Sequence, residues 1–306
     1  MSEYLILERE FAHLTNGNQR LIKLWTGSAW AEGPVFFRDG NFLLFSDIPN
    51  DRIMRFVPDF SGLQGSVSVF RQPCGNTNGH TRDREGRLIS CEHGGRRVSR
   101  TEHDGRVITL CDQFNGKRLN SPNDVVVKSD GTVWFTDPSY GILSDLEGWK
   151  GEPEYGGCHV FCFDPKTCKL TAVATDFVKP NGIAFSPDEK LLYVADTGAS
   201  HDPDGPRHIR VFEVTEKNTL KKGKVFAVCD SGLFDGFRVD TDGRVWSSAG
   251  DGVHCFDRGG TLLGKILVPE VVANVAFGGL KKNRLYICGT TSLYAVHVCV
   301  TGALVP

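Results

Sequence analysis

No apolar stretch in this sequence approaches the roughly 20 residues needed to cross a bilayer. The N-terminal MSEYLILEREF interrupts its apolar residues with acids. A membrane span is therefore excluded and a cleaved leader is not expected, which predicts a cytoplasmic protein. Charge of one sign is lacking too. The net charge is -2, and apart from the pairs Arg96-Arg97 and Lys221-Lys222 the basic residues are scattered. A nucleic-acid surface needs a basic stripe, so no nucleic-acid partner is expected. Helical periodicity is nearly absent, which sets α/β folds aside. Proline is sparse, 14 residues against 35 glycines, a balance that suits many tight turns. The 10 cysteines form no dense framework. Cys158, Cys162 and Cys168 lack the C-x-x-C spacing of a zinc site, and the thiols read as small apolar side chains in a reducing compartment.

What is present is a repeat. Six segments share an apolar run, a polar turn and a second run with aromatic or branched residues. They are EGPVFFRDGNFLLFSD, NGHTRDREGRLISCE, PNDVVVKSDGTVWFTD, PNGIAFSPDEKLLYVAD, FDGFRVDTDGRVWSSAG and ANVAFGGLKKNRLYICG. Asp-Gly and Glu-Gly between such runs mark hairpins. The aligned turn positions Gly40, Gly86, Gly131, Lys190, Gly243 and Asn283 lie 40 to 59 residues apart. A strand-rich period of that length predicts an all-β fold, a six-bladed propeller with four antiparallel strands per blade. The stretch Arg20–Trp25 is expected to complete the blade begun by Leu293–Val298, so that residues 1–306 form one domain closed through its termini. The widest spacing holds SYGILSDLEGWKGEPEYGG, a long loop expected to lie across one mouth of the channel.

Each repeat opens on a side chain carrying an amide or carboxylate oxygen: Glu32, Asn78, Asn123, Asn181, Asp235 and Asn274. These stand eight or nine residues before the aligned turn positions. Innermost strands run along a propeller's channel, so equivalent positions form a ring. Oxygens converging there make a site for a hard cation rather than for a thiolate-loving metal. Asx-type strand starts are the alternative, favoured by the Gly or Pro that follows several of these residues. Glu32, a poor turn residue, favours the ring.

With AEGPVF, SPNDVVVKSDGTVWFTDPSYG, KPNGIAFSPDEKLLYVADTG and FDGFRVDTDGRVWSSAGDGVHCFD in this order, the chain resembles the SMP-30/gluconolactonase family over nearly its whole length. GKRLNSPND is similar to the bacterial gluconolactonases. The resemblance implies that Glu32, Asn181 and Asp235 bind one divalent metal. Asn123 would lie beside it as ligand or substrate contact. Calcium is the first choice, with manganese, magnesium or zinc as alternatives. Vertebrate-type members place an arginine where this chain has Ser121, and Arg118 is the expected substitute in holding substrate.

The chemistry expected is hydrolysis of a sugar lactone, glucono-1,5-lactone or a relative. A bound cation polarises the carbonyl and orients water, and Asp235 takes the proton. Asp137 and Asp196, ending their hairpins, are the second choices as base. Their expected role is to fix the amides of Asn123 and Asn181 from behind. Asn78 and His80 are expected substrate contacts, and His80 with His93 is a candidate proton-transfer pair. His201 is a loop residue within reach of the mouth, and Trp149 and Tyr155 are candidates for an apolar wall or lid. Two other readings stand beside this one: a phosphotriesterase or arylesterase using the same metal pocket, and a non-catalytic calcium-binding or interaction propeller. The protein would be a monomer or homodimer.

Overall fold

Six antiparallel sheets, each holding four strands of a blade, form the framework of the protein. The computed structural model describes residues 3–303 except 16, 18 and 222. Blade 1 runs through Ala31–Phe37, Phe42–Asp47, Arg52–Pro58 and Gly65–Arg71, and blade 2 through Thr77–Arg82, Leu88–Glu92, Arg97–Thr101 and Val107–Cys111. Blade 3 holds Val125–Val127, Val133–Asp137, Cys158–Asp164 and Lys169–Phe177, and blade 4 holds Pro180–Phe185, Leu191–Asp196, His208–Glu213 and Lys224–Val228. Blade 5 is built from Phe237–Val239, Val245–Ala249, Gly252–Phe256 and Leu262–Leu267, and blade 6 from Val272–Gly278, Arg284–Gly289 and Ser292–His297. Ile22–Thr26 pairs with Ser292–His297 and completes blade 6, so the ring closes as the sequence predicts. The first strands touch in cyclic order, from blade 1 round to blade 6 and back, and line the channel. Among the described residues no helix is long and apolar enough to cross a membrane.

Each gap between neighbouring blades is filled by its own apolar cluster, giving six small cores rather than one. Between blades 3 and 4, Trp134 meets Phe185 edge-on at 5.4 Å. Between blades 6 and 1, Tyr286 stacks on Phe36 at 5.5 Å. Aromatic pairs of this kind add to area burial, and their fixed geometry sets the blade spacing. The N-terminal segment does more than close the ring. Tyr4–Ile6 extends blade 5 by pairing with Leu262–Leu267. The short helix Arg9–Leu14 then buries Phe11 against Trp246, with ring centroids 6.1 Å apart.

The hairpin turns need a left-handed residue, and three aligned glycines supply it: Gly86, Gly131 and Gly243. In blades 1, 4 and 6 the left-handed residue is the neighbour of the aligned position, Asn41, Glu189 and Lys282.

Candidate metal and substrate site

The ring residues sit where the inner ladder is broken. The register shifts between Glu32 and Val35, Thr77 and His80, Pro180 and Ile183, and Val272 and Asn274. A bulge at the start of a strand re-aims its side chain, here toward the axis. In four blades the following residue is Gly33, Gly79, Gly182 or Gly236, and the reason is lateral contact rather than a turn. A Cβ at Gly33 would lie 1.9 Å from the Asn78 carbonyl oxygen, and one at Gly182 would lie 2.1 Å from that of Asp235. Gly79 and Gly182 donate their N–H groups to the carbonyls of Asn123 (2.7 Å) and Asp235 (3.1 Å) in the next blade. Ring residues are thus stitched blade to blade by backbone that a side chain would push apart.

A second set of residues grips the chain just upstream. Asp47 accepts the Ala29 N–H at 2.9 Å, and Asp196 accepts those of Val178 and Lys179 at 3.0 and 2.8 Å. Asp137 accepts the N–H groups of Asn120 and Ser121 at 2.8 and 2.7 Å, together with the Tyr155 hydroxyl. Burial pushes Asp137 up to about 7. Asp137 and Asp196 therefore stand behind Asn123 and Asn181 but clamp backbone, not the side-chain amides expected from their spacing. The amide of Asn181 donates instead to Thr197 Oγ1 at 3.3 Å.

A cavity of about 370 Å³ opens above the ring and is lined by Glu32, Asn78, Asn123, Asn181 and Asp235. Asn274 shares the spacing but not the role: it donates to Glu32 Oε2 at 3.0 Å and is not part of the lining. The oxygens of Asn78 and Asn181 are buried without a hydrogen-bond partner. Their amide nitrogens are engaged, that of Asn78 with His93 Nε2 at 3.2 Å. Buried acceptors left bare are rare, because each forfeits its hydration. Beside them the carboxylates crowd. Burial and then the charge of Asp124 push Glu32 up to about 8. Burial followed by the charges of Glu32, Glu147 and Asp124 raises Asp235 well above the usual carboxylate range. The nearby cation is Arg238, buried and 3.3 Å from Asp124 Oδ2. Bare amide oxygens next to mutually repelling carboxylates, with neither sulfur nor nitrogen donors among them, are a donor set that fits a hard divalent cation.

Other expected contacts lie elsewhere. His80 is fully buried between Ser46 Oγ (2.9 Å) and Ser90 Oγ (2.8 Å), outside the cavity lining, and burial pushes it down to about 3. It is a neutral structural histidine rather than a substrate contact, and it forms no pair with His93. Arg118 is exposed and is likewise absent from the lining; its backbone N–H is held by Glu154 at 2.9 Å. Ser121 binds the Pro138 carbonyl (2.7 Å) and the Gly141 N–H (2.9 Å), anchoring the short helix Tyr140–Leu143. Trp149 points to solvent and Tyr155 is buried against Phe161, so neither walls the cavity. The apolar part of the wall is Trp30, Leu233, Val271 and Val272, and the polar part includes Tyr140, Glu147 and His201. Glu147 and Asp124 were not singled out by spacing. Asp124 had one signal, a carboxylate after Asn123 where four other ring residues are followed by glycine.

Asp230, Asp251 and His254 also bring ligand atoms within 4.8 Å of one another. Lys265 Nζ already stands among them, 2.8 Å from Asp230 and 3.0 Å from Asp251. An ammonium in that place bridges both carboxylates and occupies the position a metal would need.

Comparison with known proteins gives a consistent picture. A family model described as SMP-30/Gluconolactonase/LRE-like region matches residues 30–291. The gluconolactonase of Zymomonas mobilis is 31% identical, over 89% of this chain and 80% of that protein. A pentonolactonase of Haloferax volcanii is 28% identical, over 86% of this chain and 82% of its own. The solved structure of a Xanthomonas campestris gluconolactonase superposes with a TM-score of 0.89 at 35% identity, covering 96% of this chain and 94% of the other.

Proposed function

Because this chain belongs to the SMP-30/gluconolactonase/LRE-like family, we propose that it hydrolyses a sugar lactone to the aldonic acid, using a divalent cation in the channel. The observation that carries the reading is the pair of bare, buried oxygens on Asn78 and Asn181 beside the mutually repelling carboxylates Glu32 and Asp235. Glu32, Asn181 and Asp235 would hold the cation, with Asn123 at its side, and calcium suits these oxygen donors. Bound there, a divalent cation supplies Lewis acidity toward the lactone carbonyl and orients water.

The remaining work falls to the chain's own groups. Asp235 takes a proton from the attacking water as the oxygen adds to the carbonyl carbon. The ring C–O bond then breaks, and the proton returns to the departing ring oxygen, which leaves as a hydroxyl. Asp196 and Asp137 keep the upstream backbone still during these steps. Trp30, Leu233, Val271 and Val272 present apolar surface to the C–H face of the substrate. The unpaired thiols of all 10 cysteines support a cytoplasmic setting.

Acid release from glucono-1,5-lactone and product release from paraoxon, each corrected for the uncatalysed rate, test this proposal. Lactone turnover should vanish on chelation and return with calcium or manganese. Chelator-insensitive turnover would overturn the metal's role, and paraoxon turnover without lactone turnover would overturn the substrate.

A further inference from the structure

The segment inserted between the second and third strands of blade 3 sets one carboxylate, Glu147, in the cavity wall. Its side chain keeps 29% of its exposure, and burial raises its pKa with no hydrogen bond to offset the effect. His93 Nδ1 lies 3.7 Å from Oε2, beyond hydrogen-bond range. The histidine is itself oriented. Asn78 Nδ2 can only donate, so His93 Nε2 accepts from it and the ring proton lies on Nδ1, facing Glu147. His93 Nδ1 itself has no hydrogen-bond partner, so the donor stands free between the ring and the inserted segment.

The hydroxyl groups of this wall already satisfy one another. Tyr140 OH lies 2.6 Å from Thr197 Oγ1 and 3.0 Å from Ser200 Oγ, and Ser200 Oγ lies 2.8 Å from His201 Nδ1. Glu147 is different: a carboxylate accepts and cannot donate, and apart from the His93 N–H beyond hydrogen-bond range no donor is bonded to it where it faces the cavity. Ring hydroxyls are donors of the right kind, and two adjacent ones can engage both carboxylate oxygens.

We infer that Glu147 is a specificity residue, accepting hydrogen bonds from the hydroxyls of a neutral, polyhydroxylated lactone and so positioning its carbonyl over the ring. The inference rests on the lactonase reading above. It assigns Glu147 no bond-making role and no place among the metal ligands.

The test compares kcat/KM for glucono-1,5-lactone and for δ-valerolactone, which has the same ring without hydroxyls, in the parent, Glu147→Ala and Glu147→Gln. The alanine variant should lose about 10- to 100-fold on the hydroxylated lactone, mainly through KM, and less than about 3-fold on δ-valerolactone. Glutamine keeps one acceptor oxygen and should recover part of the loss. Equal losses on both lactones, or no loss on the first, would overturn the inference. A tenfold fall in calcium affinity would also overturn it, by making Glu147 a ligand. Calorimetric titration with D-glucono-1,5-lactam reads the same contact without turnover. A parent that binds the lactam but hydrolyses nothing sinks the lactonase reading alone, and weaker lactam binding by Glu147→Ala still supports the contact.

Discussion

Replacing Asp235 with alanine is expected to lower lactone turnover by about 10³-fold or more, because one side chain serves twice. In the proposed mechanism it would offer a carboxylate oxygen to the cation and a base to the attacking water. Its backbone is fixed independently, by the N–H to Ser248 Oγ at 2.9 Å and by the carbonyl accepting Gly182 N–H, so the substitution removes chemistry without loosening the strand. Asp235→Asn separates the two roles. The amide keeps one ligand oxygen and cannot take a proton, so metal binding should fall less than turnover does. Steady-state rates with saturating calcium, read beside calcium affinity, distinguish the variants. Parent-like turnover in Asp235→Ala would remove this residue from the mechanism.

The second large effect is on the stability of the metal-free protein. Burial and the charge of Asp124 raise Glu32 from 4.5 to about 8, so the folded state holds this proton more tightly than the unfolded chain. A raised carboxylate contributes stability that is full below its unfolded value and is lost as pH rises through its folded one. Asp235 acts in the same direction. Buried His80 and His93, pushed down to about 3 and 4, work oppositely but only below about 6.5, where the unfolded imidazole titrates. Between about pH 6.5 and 8.5 Glu32 therefore gives up its proton, and the chelated protein should lose on the order of 2 kcal/mol or more. Calcium bound as proposed would take the place of the lost proton, so its stabilisation should be larger at pH 8.5 than at pH 6.5. Melting temperatures with chelator and with calcium across this range check both parts. A metal-free Tm that rises toward pH 8.5 would contradict the electrostatic account.

Much of the architecture was legible because strand pairs and turns repeat with a fixed offset, and a repeat needs no tertiary information to be seen. The same regularity misled at Asn274, whose position matches the other five but whose amide turns to Glu32. Equal spacing says which residues stand at equivalent heights, not which way an amide faces. The glycines after the ring residues looked like turn formers, since the carbonyl of the next blade that they make room for is invisible in a linear string. His80 lies two residues beyond Asn78 on a strand that shifts register between Thr77 and His80, and the bulge leaves its ring between Ser46 and Ser90. Glu147 lies in an insertion without a counterpart in other blades, where alignment of repeats offers no guide.

In the proposed function the channel holds a single divalent cation through the ring oxygens. Calorimetric titration of the chelator-stripped protein with calcium, in the parent and in Glu32→Gln, addresses it most directly. One equivalent per chain in the parent, with affinity falling at least tenfold in the variant, is the predicted result. Absence of binding, or equal affinity in both proteins, would contradict it.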